Sequence, residues 1–269
     1  MSTRLGHSFA SDSGTAEAVL KAALYCYSRA NRDEQAKPPP RAFVTVSRQP
    51  GTSAHLFSHR LAERLNSPPG NDWTTWDNEL FDKVSAEHAI ERQVLEAIEE
   101  QPLTWLDEFV RGFSHNSGQR HVSEMYAYRR VAMAIRALAI AGHTVLVGRG
   151  SQFVTAGLPG GIHVRLIAPL DHRIKLVAEK YKLTTLQATA RVATAERNRQ
   201  IFYRRYWPGK EVKPESFAMT LNVAELSVDE LVECVLPLVR MREGNALIGC
   251  KEAAQQTQSK ADSLSSTVA

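Results

Sequence analysis

Cysteine is scarce in this sequence, and its few copies follow no recognisable pattern. Cys26, Cys234 and Cys250 are the three cysteines among 269 residues, and no two of them form a CxxC pair. An odd number of widely spaced cysteines argues against a disulfide framework and fits a reducing compartment. Because the cysteines also show no metal-ligand spacing, we predict no metal-binding residue.

Long apolar runs and internal repeats are missing as well. No window of about 18 uncharged apolar residues occurs, and the first residues lack the apolar segment of a signal peptide. No repeat period is visible, which excludes solenoids and propellers. We therefore expect a cytoplasmic protein that has no membrane partner.

Neither sign of charge dominates the composition. There are 33 Lys and Arg against 29 Asp and Glu, for a net charge of +4, and 43% of the residues are hydrophobic. A mildly basic balance suits a phosphate-bearing partner but does not indicate nucleic acid. The length fits one domain of roughly 200 residues with extensions.

The chain divides into one domain and two extensions. Residues 1–40 contain a predicted helix at 15–30 and the stiff linker Lys37-Pro38-Pro39-Pro40. Residues 41–242 form the predicted domain, and residues 243–269 have the composition of a disordered tail. The 15–30 helix is available either to dock on the domain or to pair between chains, so an oligomer formed through it is one expectation.

Short apolar runs alternate with helical patterns across the domain. The runs that we predict as strands lie at 42–46, 73–76, 143–147, 162–167 and 218–222. Continuous apolar strands separated by helices are typical of a parallel sheet covered on both faces. We therefore predict a three-layer α/β/α sandwich with a parallel five-stranded sheet, in which ligands bind at the carboxyl ends of the strands.

A tight turn follows the first strand. It reads Gln49-Pro50-Gly51-Thr52-Ser53 and leads into a helix whose apolar stripe includes Leu56, Phe57, Leu61 and Leu65. Strand, tight turn and helix form the layout of a phosphate-binding unit. Ser47-Arg48, Asp77 and Gly148-Arg149 stand at strand ends, where an arginine matches phosphate oxygens. The alternative for Arg149 is a structural ion pair with a nearby acid.

A second concentration of positive charge lies at 191–210. This stretch, RVATAERNRQIFYRRYWPGK, has six cationic residues and one acid, Glu196. A solvated basic helix face is the alternative to a functional role. Nucleic-acid binding would also use these arginines, but no binding module is present, and we do not expect a nucleic-acid partner.

Six segments in this order resemble the cytidylate-kinase-like family over residues 41–240. They are VTVSRQPGTSAHLFSHRLAERL, WDNEL, AGHTVLVGRGSQFV, VRLIAPLDHRIKLV, AERNRQIFYRRYW and FAMTLNVAELSVDE. The Val-Gly-Arg-Gly and Leu-Asn-x-x-x-Leu-Ser pieces are the most specific. The resemblance implies the P-loop nucleoside monophosphate kinase fold, with transfer of the ATP γ-phosphoryl group to CMP or a related monophosphate and with ATP and Mg²⁺ as cofactors.

The resemblance also implies roles for individual residues. The ATP phosphates would be bound by Ser47, Gly51, Thr52, Ser53, Ala54, His55 and Leu56. The monophosphate would be bound by Asp77, Arg129, Arg130 and Arg149. The catalytic cations would be Arg173, Arg197 and Arg199.

The phosphate loop departs from the family pattern. Ala54 stands where the family has lysine, Leu56 where it has threonine, and Ser53 where it has a second glycine. His55 stands where related loops place an arginine. Two hypotheses remain open: a working kinase whose lid arginines supply the charge, or a catalytically impaired protein that binds a nucleotide or a protein partner.

Overall fold

The computed structural model describes residues 41–67, 72–77 and 119–244. The predicted 15–30 helix, the proline-rich linker, a predicted helix at 78–100 and the tail from 245 onward lie outside the described residues. The division of the chain into a domain and two extensions therefore stays a prediction.

Five strands and six helices are described, with one 3₁₀ turn. The strands are β1 (Phe43–Arg48), β2 (Thr74–Trp76), β3 (Thr144–Val147), β4 (Gly161–Ile167) and β5 (Met219–Asn222). The helices are α1 (Ala54–Leu65), α2 (Gln119–Ala141), α3 (Ser151–Val154), α4 (Leu170–Tyr181), α5 (Thr185–Tyr206) and α6 (228–244), and the 3₁₀ turn is Pro214–Ser216.

The strands form one parallel sheet in the order β2-β3-β1-β4-β5. Strand β1 lies at its centre, where Val46 pairs with Val147 of β3 and with Val164 of β4. The carboxyl ends of β1 and its two neighbours therefore meet at one edge, which is the edge that binds ligands in such sheets. The predicted five-stranded parallel sheet is confirmed.

Helices cover the sheet on both faces. Phe43 of β1 points to a core with Ile135 and Leu138 of α2, whereas Val44 points to the opposite core with Leu61 of α1. Helix α6 adds residues such as Val235 to the second core. The alternation along β1 divides its side chains between the two cores, which gives the three-layer arrangement.

Helices α4 and α5 form a hairpin with a small core of its own. Ile174 and Val177 of α4 pack with Ala188 and Val192 of α5. The distal half of α5 carries aromatic rings that return to the main core, where Tyr206 lies 4.2 Å from Tyr128 between ring centroids. The hairpin is thereby held beside the carboxyl edge of the sheet.

Three local predictions were wrong in detail. Leu56 lies off the buried stripe of α1 and is 56% exposed. The sequence predicts Asp171 as the cap of α4, but the N-cap is Pro169 and Asp171 lies in the first turn. It predicts a polar loop over 112–120, but helix α2 begins at Gln119. It also predicts a capping box at the start of α6, Ser227 to Glu230, which is confirmed, since the Ser227 N–H donates to Glu230 Oε2 at 2.8 Å.

A capping box also starts α5. The Gln187 N–H donates to Thr184 Oγ1, and the Thr184 N–H donates to Gln187 Oε1 at 3.0 Å. We expect Thr184→Ala to lower the free energy of unfolding by about 1 kcal/mol, because it removes the acceptor of the Gln187 N–H. Urea denaturation of Thr189→Ala, an exposed position within the same helix, is the control, and an equal loss in both variants would contradict the capping role.

Among the described helices, none is long and apolar enough to cross a membrane.

Candidate functional site

The turn between β1 and α1, residues 49–53, is called the Gly51 turn here. Gly51 has a φ of +86°, and a Cβ at this position would lie 2.8 Å from the Arg173 carbonyl oxygen and 3.1 Å from Val177 Cγ2. Glycine is therefore required both by the backbone angle and by the close approach of α4. The turn and the start of the α4–α5 hairpin are in direct contact.

Hydrogen bonds anchor the Gly51 turn to the end of β4. The Gln49 N–H donates to the Leu166 carbonyl at 2.9 Å, and its side-chain Oε1 accepts from the Ala168 N–H at 3.0 Å. The Thr52 hydroxyl donates to the Gln49 carbonyl at 2.9 Å. These bonds hold the turn in a fixed shape above the carboxyl edge of the sheet.

The start of α1 is not capped by its own N-cap residue. Ser53 has the left-handed angles φ 50° and ψ 34° and makes no side-chain capping hydrogen bond. The first amides of a helix have no acceptor within the helix, and the helix dipole favours an anion beside them. The turn therefore presents a helix N-terminus that is suited to phosphate.

A cavity of about 420 Å³ lies against this turn, and we call it the turn cavity. Its charged lining residues are Arg48, Lys180, Arg191, Arg199 and Asp77. His55, in the first turn of α1, also lines it. Arg191 also lies 4.1 Å from the centroid of the Tyr181 ring, which stacks it on the hairpin. Cations outnumber acids four to one, so the cavity favours an anionic ligand.

A second cavity of about 320 Å³, here called the arginine cavity, lies next to the turn cavity. It is lined by Arg48, Arg149, Ala195, Asn198, Arg199, Phe202 and Tyr203. Three guanidinium groups beside two aromatic rings suit a ligand with a phosphate and a planar ring. Arg48 and Arg199 line both cavities, so they stand between the two possible ligands.

Arg48 lies against the Val-Gly-Arg-Gly segment. A Cβ on Gly148 would be 1.7 Å from Arg48 Nη1, so the glycine provides the space that this guanidinium occupies. Burial, and then the charge of Arg199, lower the pKa of Arg48 to about 10. Two half-buried cations thus repel each other at this point.

Arg199 is joined to Arg48 through the backbone. Its Nη1 donates to the Arg48 carbonyl oxygen. Burial lowers the pKa of Arg199, and the neighbouring cations Arg165 and Arg173 lower it further. The cost of keeping both arginines charged is relieved when an anion binds between them.

Arg149 is held by a buried hydrogen-bond chain. It has a φ of +54°, and its carbonyl accepts from the Tyr128 hydroxyl at 2.7 Å. That hydroxyl in turn accepts from Trp207 Nε1 at 2.8 Å. Burial raises the pKa of Tyr128, so the phenol stays neutral and continues to donate. The chain fixes the turn that presents Arg149 to the arginine cavity.

Arg173 links three parts of the fold through hydrogen bonds, and we call this its bracing role. It is 5% exposed, and its Nε donates to the Ala168 carbonyl at 3.0 Å. Its Nη1 lies 3.3 Å from the Pro50 carbonyl and 2.7 Å from Glu196 Oε1. The guanidinium therefore ties the Gly51 turn to α5, and its catalytic role stays a prediction.

The other predicted site residues are not gathered at the cavities. Ser47 is buried in β1, while Leu56 and Arg197 are exposed, and none of the three lines either cavity. Arg129 is half-buried on α2, and its Nε has no hydrogen-bond partner within the part of the chain that the structure describes. The Arg130 side chain lies outside the described residues. The roles of these residues stay predictions.

The residues around α1 do not fit the magnesium ion that the family resemblance implies. At the position of the threonine that would bind it stands Leu56, an apolar side chain directed outward. The next hydroxyl along the helix, that of Ser58, is buried and donates to the Ala54 carbonyl at 2.8 Å. We therefore derive no step through magnesium.

Two histidines and an aspartate meet at the rim of the turn cavity. His55 Nδ1 lies 3.3 Å from Asp77 Oδ2, and the His55 and His59 ring centroids are 4.3 Å apart. Burial, followed by the charge of His55, lowers the pKa of His59. One ring nitrogen of each histidine and one Asp77 oxygen all lie within 4.8 Å of one another. The sequence analysis named His55 and Asp77 but not their meeting with His59.

Sequence reasoning assigned no specific ligand to Arg48, Lys180, Arg191 or His59, of which the first three line the turn cavity. Arg48 stands at a strand end, which was a usable signal. His55 and His59 are four residues apart, the spacing that puts two side chains on one helix face. Lys180 and Arg191 come from two helices whose packing angle no local pattern reveals.

One solved structure and one family model agree with this architecture. A solved structure of an uncharacterized protein from Eubacterium ventriosum superimposes with a TM-score of 0.56 at 17% identity, covering 75% of this chain and 99% of that one, which shows the fold alone. A uronate isomerase from Corynebacterium glutamicum is 24% identical over 98 residues, 36% of this chain, and the match spans only 19% of that enzyme. The model of the Cytidylate kinase-like family matches residues 43–225. Since this match covers more than half of the chain, the protein belongs to the cytidylate kinase-like family.

Proposed function

We propose that the protein transfers the γ-phosphoryl group of ATP to CMP or a related nucleoside monophosphate. Family membership supports a nucleotide kinase-like function. On this proposal the ATP phosphates bind in the turn cavity, against the Gly51 turn, and the monophosphate binds in the arginine cavity. Phe202 and Tyr203 then lie beside the second nucleotide.

The observation that carries the proposal is the position of Arg48 and Arg199. Both line the two cavities at once, so a phosphoryl group passing from one ligand to the other would stay within reach of both guanidinium groups. The transition state of phosphoryl transfer spreads negative charge over several oxygens. Preorganised cations at that point lower its energy without further rearrangement.

Cations from the α4–α5 hairpin compensate on this proposal for the lysine that the phosphate loop lacks. Ala54 and Leu56 supply neither the ammonium group nor the hydroxyl of the usual loop. Lys180 and Arg191 of the α4–α5 hairpin line the turn cavity from the opposite side. On this proposal they take up the negative charge of the β- and γ-phosphates. The backbone amides at the start of α1 complete the site.

A nucleotide-binding protein without turnover is the second candidate. The exposed, apolar Leu56 favours it, because the side chain that normally orients the metal–nucleotide complex is absent. The two candidates share the binding site and differ in whether ADP is formed.

A coupled assay of ADP formation with CMP, dCMP and UMP separates them. We expect turnover that depends on the monophosphate, and we expect Arg199→Ala to lower kcat by about 10² to 10³. Arg204→Ala, an exposed arginine on the same helix that lines neither cavity, is the matched control. No ADP above the Arg199→Ala background, together with ATP binding by calorimetry, would favour the binding protein. No binding of either nucleotide at millimolar concentration would contradict both.

A further inference from the structure

We propose that His55, His59 and Asp77 form a binding site for a divalent transition-metal ion of the zinc type, at the rim of the turn cavity. His55 and His59 lie in the first two turns of α1, and Asp77 directly follows β2. The sequence analysis predicted no metal-binding residue, and neither the two cavities nor the family match assigns one here.

The distances suit such an ion. Zinc binds imidazole nitrogen and carboxylate oxygen at about 2.0–2.1 Å, which puts two tetrahedral ligands about 3.3 Å apart. His55 Nδ1 and Asp77 Oδ2 are already separated by 3.3 Å. The third ligand atom, on His59, lies within 4.8 Å of both, so a small side-chain rotation brings it to the same distance.

The donor atoms indicate the class of metal. Two imidazole nitrogens and one carboxylate oxygen suit zinc, cobalt, nickel or ferrous iron, whereas magnesium prefers oxygen ligands alone. Three protein ligands also leave a coordination position open, as in zinc sites that bind water or substrate. The cluster therefore differs from the magnesium site of an ordinary kinase loop, which the residues of α1 do not provide.

If the proposed function holds, a phosphate oxygen of the nucleotide would fill the open coordination position. His55 and Asp77 both line the turn cavity, beside the Gly51 turn. An ion held by them would meet a phosphate oxygen of a nucleotide in that cavity. This part of the inference rests on the proposed function, whereas binding of the metal ion itself does not.

The test is a titration of the full-length protein with Co²⁺, followed by visible absorption, and with Zn²⁺, followed by calorimetry. We expect one ion per chain, with d–d bands of a tetrahedral or five-coordinate cobalt ion. His55→Gln and Asp77→Asn are each expected to weaken binding at least about 10-fold, since loss of outer-shell partners alone can cost that much. His172→Gln, on α4 and outside the lining of the turn cavity, is the matched control and should bind as the wild type does.

Loss of metal binding in His55→Gln can be separated from loss of folding. Its side chain is 59% exposed, so its replacement removes little packing, and circular dichroism checks that the variant is folded. Absence of saturable binding in the wild type would overturn the proposal. So would equal affinity in the wild type, His55→Gln and Asp77→Asn, because the ion would then sit on other histidines.

Addition of ADP to the cobalt-loaded protein tests the open position. A change of the bound-cobalt spectrum, with His55→Gln as the blank for cobalt held by ADP alone, supports a phosphate ligand. If ADP binds by calorimetry and the spectrum stays unchanged, the phosphate contact is refuted while the metal site stands. If the metal ion binds and ADP does not, the proposed function fails and the metal site again stands.

Discussion

Replacement of Arg48 by methionine is expected to raise the temperature of thermal unfolding while it removes nucleotide binding. Arg48 is half-buried, and burial together with the charge of Arg199 lowers its pKa to about 10. Because its pKa in the folded state lies below that in the unfolded chain, the charged form destabilises the fold at neutral pH. Methionine keeps much of the apolar stem and removes this charge.

The expected gain is about 3 °C or more in the unfolding temperature of the nucleotide-free protein, measured by calorimetry. The same variant should lose at least about 10² in affinity for ATP, since Arg48 lines both cavities. Arg204→Met, an exposed site on α5, should change neither quantity. A fall in unfolding temperature for Arg48→Met would mean that protein contacts, rather than a ligand, satisfy this guanidinium.

Gly51→Ala is expected to lower the free energy of unfolding by about 2–4 kcal/mol and to abolish ATP binding. Part of the loss is the strain of a Cβ on left-handed backbone, since φ is +86°. The remainder is overpacking, because the new Cβ would lie 2.8 Å from the Arg173 carbonyl oxygen. The carbonyl belongs to the backbone of α4 and cannot rotate away, so the hairpin must shift.

Gly209→Ala provides the matched control in urea denaturation. Gly209 has a φ of +74°, and no atom of the described residues lies within 4 Å of a Cβ placed on it. It should therefore lose about 1–2 kcal/mol from the backbone alone. The difference between the two variants measures the contact between the Gly51 turn and α4. Equal losses would show that this contact is not tight in solution.

The layered fold was predictable because the strands and helices carry local sequence signals of their own. Strands such as β1 and β3 are short apolar runs, and α5 begins with the capping box at Thr184. Errors arose where a local signal competed with packing. Leu56 is apolar, but the stripe of α1 passes through Phe57 and Leu61, so Leu56 points outward.

The candidate site was predictable only in part. Arg149 and Asp77 stand near strand ends and line the arginine cavity and the turn cavity, while Arg199 lines both cavities from helix α5. The contribution of Lys180 and Arg191 depends on how the α4–α5 hairpin lies over the sheet. Arg173 has the same charge as these residues, yet its buried bonds to Ala168, Pro50 and Glu196 make it a brace. Only tertiary contacts separate the two roles.

On the proposed function, two nucleotides bind end to end across Arg48 and Arg199. A crystal structure with a bisubstrate ligand, adenosine and cytidine joined through a pentaphosphate, tests this arrangement. We expect the adenosine-side phosphates against the Gly51 turn, the cytidine in the arginine cavity beside Phe202 and Tyr203, and both arginines on the phosphates between them. A ligand bound elsewhere, or absent at millimolar concentration, would contradict it.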